Sequence, residues 1–188
     1  PDRIEAGTFL IAAAITRSSI SLSPIETNHL TEVIDKLEIS GCKFEYSEKS
    51  LKIIPNQILN SVDITTMPYP GFPTDLQAPF MALMATAKGV STIKETVFEN
   101  RMHHVKELNR MGAQIVVKNN IATVIGIDKL QGSAVLGIDL RATAALALAG
   151  LCANGETVVD RIYHIDRGYE RIEEKLNYLG ADIIRLPS

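Results

Sequence analysis

Self-similarity along the chain constrains its fold more than any single motif, because a unit that recurs within 188 residues has to bury its apolar face against its own copies. Three segments line up. Each opens with an Ala-rich apolar stretch of helical length: Ile4–Thr16 (IEAGTFLIAAAIT), Thr74–Ala87 (TDLQAPFMALMATA) and Leu140–Asn154 (LRATAALALAGLCAN). A short turn and strand follow, as in KGVSTI and NGETVV. An amphipathic helix comes next, marked by Leu30, Val33, Ile34 and Leu37 in the first copy, Met102, Val105, Leu108 and Met111 in the second, and Ile172, Leu176 and Leu179 in the third. Spacings of three and four place each set on one helix face. Each of these helices reaches a glycine, Gly41, Gly112 or Gly180, the residue that best tolerates a left-handed helix end.

The offsets are regular. Gly89 to Gly155, Arg101 to Arg167 and Asp75 to Arg141 are each 66 positions apart, Gly112 to Gly180 is 68, and Gly41 to Gly112 is 71. Pseudo-repeats of approximately 1–60, 61–130 and 131–188 result. The unit ends in a hairpin, QIVVKNNIATVIG with a turn at Asn119-Asn120, and Phe44 to Ile54 repeats that pattern. Helices that are apolar nearly all round belong inside, so the predicted fold is α/β, with three buried helices and sheets outside them. A two-layer arrangement with helices on one sheet face is the alternative. Strand candidates precede the Ala-rich helix near Val62–Thr65 and Ala134–Ile138, whereas the first copy has only Pro1–Arg3, and the third stops at Arg185-Leu186-Pro187-Ser188. The expectation is one incomplete domain over 1–188, cut from a longer polypeptide.

Composition removes several classes of partner. With 19 Lys+Arg against 22 Asp+Glu the formal charge is -3, which gives no chain-wide basic field for nucleic acid or an anionic membrane. The uncharged run from Ala142 to Gly155 is 14 residues long, short of the roughly 18 that suggest a membrane span. The start has no secretory pattern, and Cys42 and Cys152 lack metal or redox spacing, as expected of a reduced cytoplasmic protein. Motifs for dinucleotide, P-loop, zincin and serine hydrolase sites are absent from the sequence. No metal and no cofactor is expected.

The informative charges sit at helix starts. A cation there opposes the helix dipole by a few tenths to about 1 kcal/mol, yet Arg3, Arg101, Arg141 and Arg167 fall at the predicted starts of helices. Gathered at one end of the domain, they would form an anion site, since guanidinium binds carboxylate and phosphate bidentately. Only the middle copy has a carboxylate at the matching position, Asp75, which reads as a helix cap or, beside arginines, as a general base. Glu99, just before Asn100-Arg101, is a second carboxylate at that end. His103 and His104 adjoin and are expected in solvent rather than on a metal.

Five runs, Pro1-Asp-Arg-Ile-Glu, Phe72-Pro-Thr-Asp75-Leu-Gln, Glu95-Thr-Val-Phe-Glu99-Asn-Arg101, Asp139-Leu-Arg141-Ala and Asp160-Arg-Ile-Tyr-His-Ile-Asp-Arg167-Gly-Tyr-Glu-Arg-Ile-Glu, occur in order along the chain. Together they resemble the UDP-N-acetylglucosamine enolpyruvyl transferase family. The resemblance implies an inside-out α/β barrel of three pseudo-repeats, in which this chain is the C-terminal part of a two-domain enzyme. It implies transfer of the enolpyruvyl group of phosphoenolpyruvate to the 3'-hydroxyl of UDP-N-acetylglucosamine. By the same resemblance Asp75 takes the hydroxyl proton, the backbone of Val97 holds the sugar, Arg141 and Arg167 grip phosphoenolpyruvate, Arg101 supports them, and Glu99 is a nearby partner. The family's cysteine proton donor matches neither Cys42 nor Cys152, so the chain alone is expected to be inactive. The sister family that makes 5-enolpyruvylshikimate 3-phosphate usually shows Asp-His-Arg-Met-Ala where this chain has Asp139-Leu140-Arg141-Ala142-Thr143. That acceptor, and a non-catalytic binding module, remain as alternatives.

Overall fold

The structure, a computed structural model, describes residues 2–186; Pro1, Pro187 and Ser188, which belong to the sequence expectations for the two ends, lie outside the described residues. Three apolar helices form its centre: α1 (Arg3–Thr16), α3 (Gln77–Met84) and α5 (Leu140–Cys152). Each packs on the other two. Leu10, Ile11 and Ala14 of α1, Phe80 to Met84 of α3, and Ala144, Ala145 and Leu148 of α5 are excluded from solvent. Small side chains on α5 let the helices approach closely, while Leu, Phe and Met fill the space between them.

The helix ends explain the cations. Asp2 caps α1, its carboxylate accepting from the backbone N–H of Ile4 at 2.7 Å and of Glu5 at 3.3 Å. Asp139 caps α5 in the same way, accepting from Arg141 and Ala142 at 2.9 and 2.8 Å. An acidic cap thus meets the dipole at both helices, and the neighbouring arginines are released to point elsewhere. α3 has no such cap; a 3-10 turn, Thr74–Leu76, leads into it instead. Gly7 makes room for this turn, since a Cβ there would stand 2.4 Å from Leu76 Cδ1. Asp75 is thereby fixed beside α1.

Sheets lie around the helices. In the first repeat β1 (Ile20–Leu22), β2 (Cys42–Tyr46) and β3 (Leu51–Pro55) are antiparallel in the order β1-β3-β2. The second repeat has four strands, β4 (Ile64–Thr65), β5 (Val90–Lys94), β6 (Gln114–Lys118) and β7 (Ile121–Ile125), in the order β4-β5-β7-β6. β4 and β5 are parallel because α3 carries the chain back between them. In the third repeat β8 (Ala134–Leu136) and β9 (Val158–Asp160) make the corresponding parallel pair across α5. Alternate residues of β5 and β7 are buried, so Ser91, Ile93, Ala122 and Val124 face the helices.

The amphipathic helices are α2 (Thr31–Ser40), α4 (His104–Arg110) and α6 (Ile172–Tyr178). Gly41, Gly112 and Gly180 close them with φ of 114°, 88° and 97°. Two starts differ from the sequence expectation. Arg101 precedes α4 by three residues, because Asn100 turns the chain with a positive φ of 55°. Arg167 ends a 3-10 helix, Ile162–Arg167, instead of opening α6. Helix α6 opens only after Arg171, which is left-handed with a φ of 46°, and Tyr169 in the intervening turn is buried with its hydroxyl 2.8 Å from Thr8 Oγ1 of α1. Leu179, expected on the apolar face of α6, is 44% exposed, with residues 181–186 forming no strand over it.

Candidate active site

The N-terminal ends of the central helices bring together residues distant in sequence. Asp75, in the turn before α3, is held from two sides: Arg101 Nη2 donates to Oδ1 at 2.8 Å and Arg141 Nη2 to Oδ2 at 3.3 Å. Arg141, the second residue of α5, also lies 5.3 Å from the ring centroid of Tyr169. Its Nη1 is buried and has no partner among the described residues. Two guanidinium groups share one carboxylate here, and Arg141 keeps a buried donor without a partner among the described residues, a group that an anion can satisfy.

A buried carboxylate lies behind Asp75. Glu95 is only 2% exposed. Its Oε1 accepts from Thr66 Oγ1 at 2.7 Å and from the N–H groups of Val97 and Phe98 at 2.9 and 3.2 Å. Its Oε2 accepts from Thr74 Oγ1 at 2.9 Å, and that hydroxyl in turn accepts from Arg101 Nη1 at 2.9 Å. The Phe98 ring centroid lies 4.9 Å from the same guanidinium. Sequence reasoning passes over Glu95 and gives Thr74 only a helix-cap role beside Asp75. Strand alternation was the available signal, since Glu95 continues the inward face of Ser91 and Ile93.

Other nominated residues stand apart. Val97 is half-buried in the turn after β5, with its N–H committed to Glu95. Glu99 is exposed and has no ion pair among the described residues, and Thr74 and Asp75 make no side-chain cap to α3. Arg167 is exposed at the end of the 3-10 helix that packs on α5, and makes no hydrogen bond to Asp75, Arg101 or Arg141. Arg3 does not join the cluster either; it sits 4.8 Å from the Tyr69 ring. His103 is in solvent, but His104 is buried at the start of α4, and burial lowers its pKa to about 4. The expected exposure fails for His104 because the α4 face carrying Val105 and Leu108 turns its ring inward with them. Cys42 and Cys152 are pushed up to about 11 by burial, which keeps both as thiols.

Central helices with surrounding sheets define an enolpyruvyl transferase-like fold, with a carboxylate between two arginines at the helix starts. The chain matches the EPSP synthase (3-phosphoshikimate 1-carboxyvinyltransferase) family over residues 1–176, and it belongs to that family. Among curated relatives, the UDP-N-acetylglucosamine 1-carboxyvinyltransferase 2 of Prochlorococcus marinus is 60% identical over 188 residues, which are 100% of this chain and 44% of that protein. The enolpyruvyl transferase NikO of Streptomyces tendae superposes with a TM-score of 0.87 at 29% identity, over 97% of this chain and 43% of that one. The EPSP synthase of Acinetobacter baumannii shares the fold, with a TM-score of 0.72 at 17% identity over 98% of this chain and 44% of that one. The chain spans less than half the length of the curated relatives it matches. Among the described residues no helix is long and apolar enough to cross a membrane.

Proposed function

We propose that this chain supplies the C-terminal half of an active site that transfers the enolpyruvyl group from phosphoenolpyruvate to the 3'-hydroxyl of UDP-N-acetylglucosamine. The observation that carries the reading is Asp75, clamped by Arg101 and Arg141 at the ends of the central helices. The 60% identity to a protein named UDP-N-acetylglucosamine 1-carboxyvinyltransferase 2 supports that acceptor. Asp75 accepts the proton of the 3'-hydroxyl as that oxygen bonds to C2 of phosphoenolpyruvate, while the methylene carbon gains a proton. In the second stage the methyl carbon returns a proton and the C2–O bond to phosphate breaks. Arg141, with its unpartnered Nη1, takes the phosphoenolpyruvate carboxylate, and Arg167 closes on neighbouring negative charge. The Val97 carbonyl holds the sugar, and Arg101 keeps Asp75 aligned, with Glu99 at the rim.

Half of this chemistry lies beyond the chain. By the family resemblance the proton donor to the methylene carbon comes from the other domain of the longer protein, and burial keeps Cys42 and Cys152 as thiols. Such a reaction serves the cytoplasm, at the first committed step of peptidoglycan precursor synthesis, and through it cell shape and division. Phosphate release tests the reading. Full-length protein is expected to release phosphate from phosphoenolpyruvate with UDP-N-acetylglucosamine and not with shikimate 3-phosphate, and the 188-residue chain alone with neither. Turnover by the full-length protein with the shikimate acceptor alone would overturn it.

A further inference from the structure

Glu95 touches neither Asp75 nor Arg101, yet both depend on it through one hydroxyl. A carboxylate only accepts hydrogen bonds and a guanidinium only donates them. Thr74, placed 2.9 Å from each, therefore has its single proton directed at Glu95 Oε2 and a lone pair directed at Arg101 Nη1. The other half of that guanidinium, Nη2, is then in place for Asp75 Oδ1 at 2.8 Å. On its other oxygen Glu95 gathers Thr66 and the N–H groups of Val97 and Phe98, which shapes the turn whose Phe98 ring lies against Arg101. Its backbone is pinned as well, its N–H donating to Asn120 O at 2.9 Å and its carbonyl accepting from Asn120 Nδ2 at 2.7 Å.

We propose that Glu95 is a positioning residue that sets the Arg101–Asp75 pair through the Thr74 hydroxyl, while the same carboxylate fixes the Val97 turn. The base and the acceptor seat are thus referred to one buried anchor. What the site does rests on the enolpyruvyl-transfer reading; how it is held does not. Burial gives the anchor its force, because a carboxylate at 2% exposure keeps its partners in place without competition from water.

The two oxygens divide the two tasks, and this makes the role separable. In Glu95→Gln the amide oxygen can remain at the Oε1 position, where three donors converge, and the NH2 group then replaces Oε2 opposite Thr74. Thr74 would face a donor on each side and lose its acceptor. In full-length protein, Glu95→Gln and Thr74→Val are each expected to lower kcat about 10- to 100-fold, the scale of a small misplacement of a reacting group. KM for UDP-N-acetylglucosamine stays near its original value. The double variant is expected to be no worse than either single one, because both break the same link. Thr74→Ser restores most of the turnover that Thr74→Val loses. Full kcat in Glu95→Gln, a rise in KM alone, or multiplying effects in the double variant would overturn the proposal.

Crystal structures of the same full-length variants keep this test apart from the function. The 2.8 Å contact between Arg101 and Asp75 is expected to open in Glu95→Gln and in Thr74→Val, with the Val97 turn unchanged in both. Retention of that contact in both variants sinks the positioning role even if the protein turns over. Absence of phosphate release from unmodified protein sinks the functional reading and leaves the structural comparison to decide the role of Glu95.

Discussion

The two ends of the central helix trio are built on opposite principles. At the N-terminal end Asp75 meets Arg101 and Arg141, and three buried polar atoms there have no partner among the described residues: Gln77 Oε1, Arg141 Nη1 and, at the start of α4, His104 Nε2. At the C-terminal end Arg17 is spent in full. Its guanidinium donates to the carbonyls of Ala14, Ile15, Gln57 and Thr86 and to Thr86 Oγ1, at 2.7 to 3.5 Å, so every N–H it owns is engaged. A cleft of about 730 Å³ opens at that same end, between Ile15, Thr86 and Cys152. Volume thus lies at one end and most of the unpartnered buried polar atoms at the other, Thr157 Oγ1 beside Gly150 of α5 being the exception. Among those atoms Arg141 Nη1 alone is a cationic donor, and it is the one an anion can satisfy.

The largest effect is expected beside that donor. In full-length protein, Asp75→Ala should lower kcat by roughly 10²- to 10⁴-fold, the range for losing a positioned general base, with circular dichroism showing the fold intact. Its side chain is 34% exposed, so little packing is lost with it. Unchanged phosphate release would remove Asp75 from its role and erase the distinction between the two ends.

The same contrast shows how much of the molecule was legible in the sequence. Period carries burial, so Leu30, Val33, Ile34 and Leu37 announced a helix face, and all four are buried. Offsets of 66 aligned Asp75 with Arg141, and these two residues are in contact. Polar residues were harder, since their burial is decided by what folds over them. Glu95 and His104 look like ordinary surface residues until β5 and α4 are packed, and only the alternation along Ser91, Ile93 and Glu95 hinted at the first. Arg101 and Arg167 were assigned to helix starts on spacing alone. The positive φ of Asn100 and of Arg171, which precede the actual starts, leave little trace in periodicity.

His104 sharpens the comparison through pH. Burial is the largest cause of its lowered pKa, joined by Arg101 and His103, while Asp139 and Glu95 act in the opposite direction. The folded value is about 4 against 6.5 for the free side chain. As pH falls the unfolded chain binds this proton first, so the stability it confers is full above about 6.5 and drains away toward pH 4. At about 1.4 kcal/mol per unit, the loss amounts to about 3 kcal/mol. Denaturant midpoints of the chain between pH 7.5 and 4.5 should fall steeply, and His104→Leu should flatten that part of the curve. An identical slope in the variant would show that the ring is not held neutral at the site end.

Arg17 supplies the matching test at the other end, and its effect should be smaller and of a different kind. α1 and α3 finish where their last carbonyls have no partner within the helix, and the Arg17 guanidinium joins these two ends through Ala14, Ile15 and Thr86. Arg17→Met keeps much of the apolar stem and strips every donor. The exposed carbonyls can take up water through the cleft, which limits the cost to about 1–3 kcal/mol, far below a sum over the separate bonds. Arg17→Lys should regain only part of it, because a compact ammonium cannot span carbonyls that a flat fork reaches together. Neither change touches Asp75, so full-length protein should lose denaturant resistance while phosphate release per folded molecule stays constant. A fall in kcat with unaltered stability would mean that the C-terminal end is coupled to the chemistry and that the two ends are not independent.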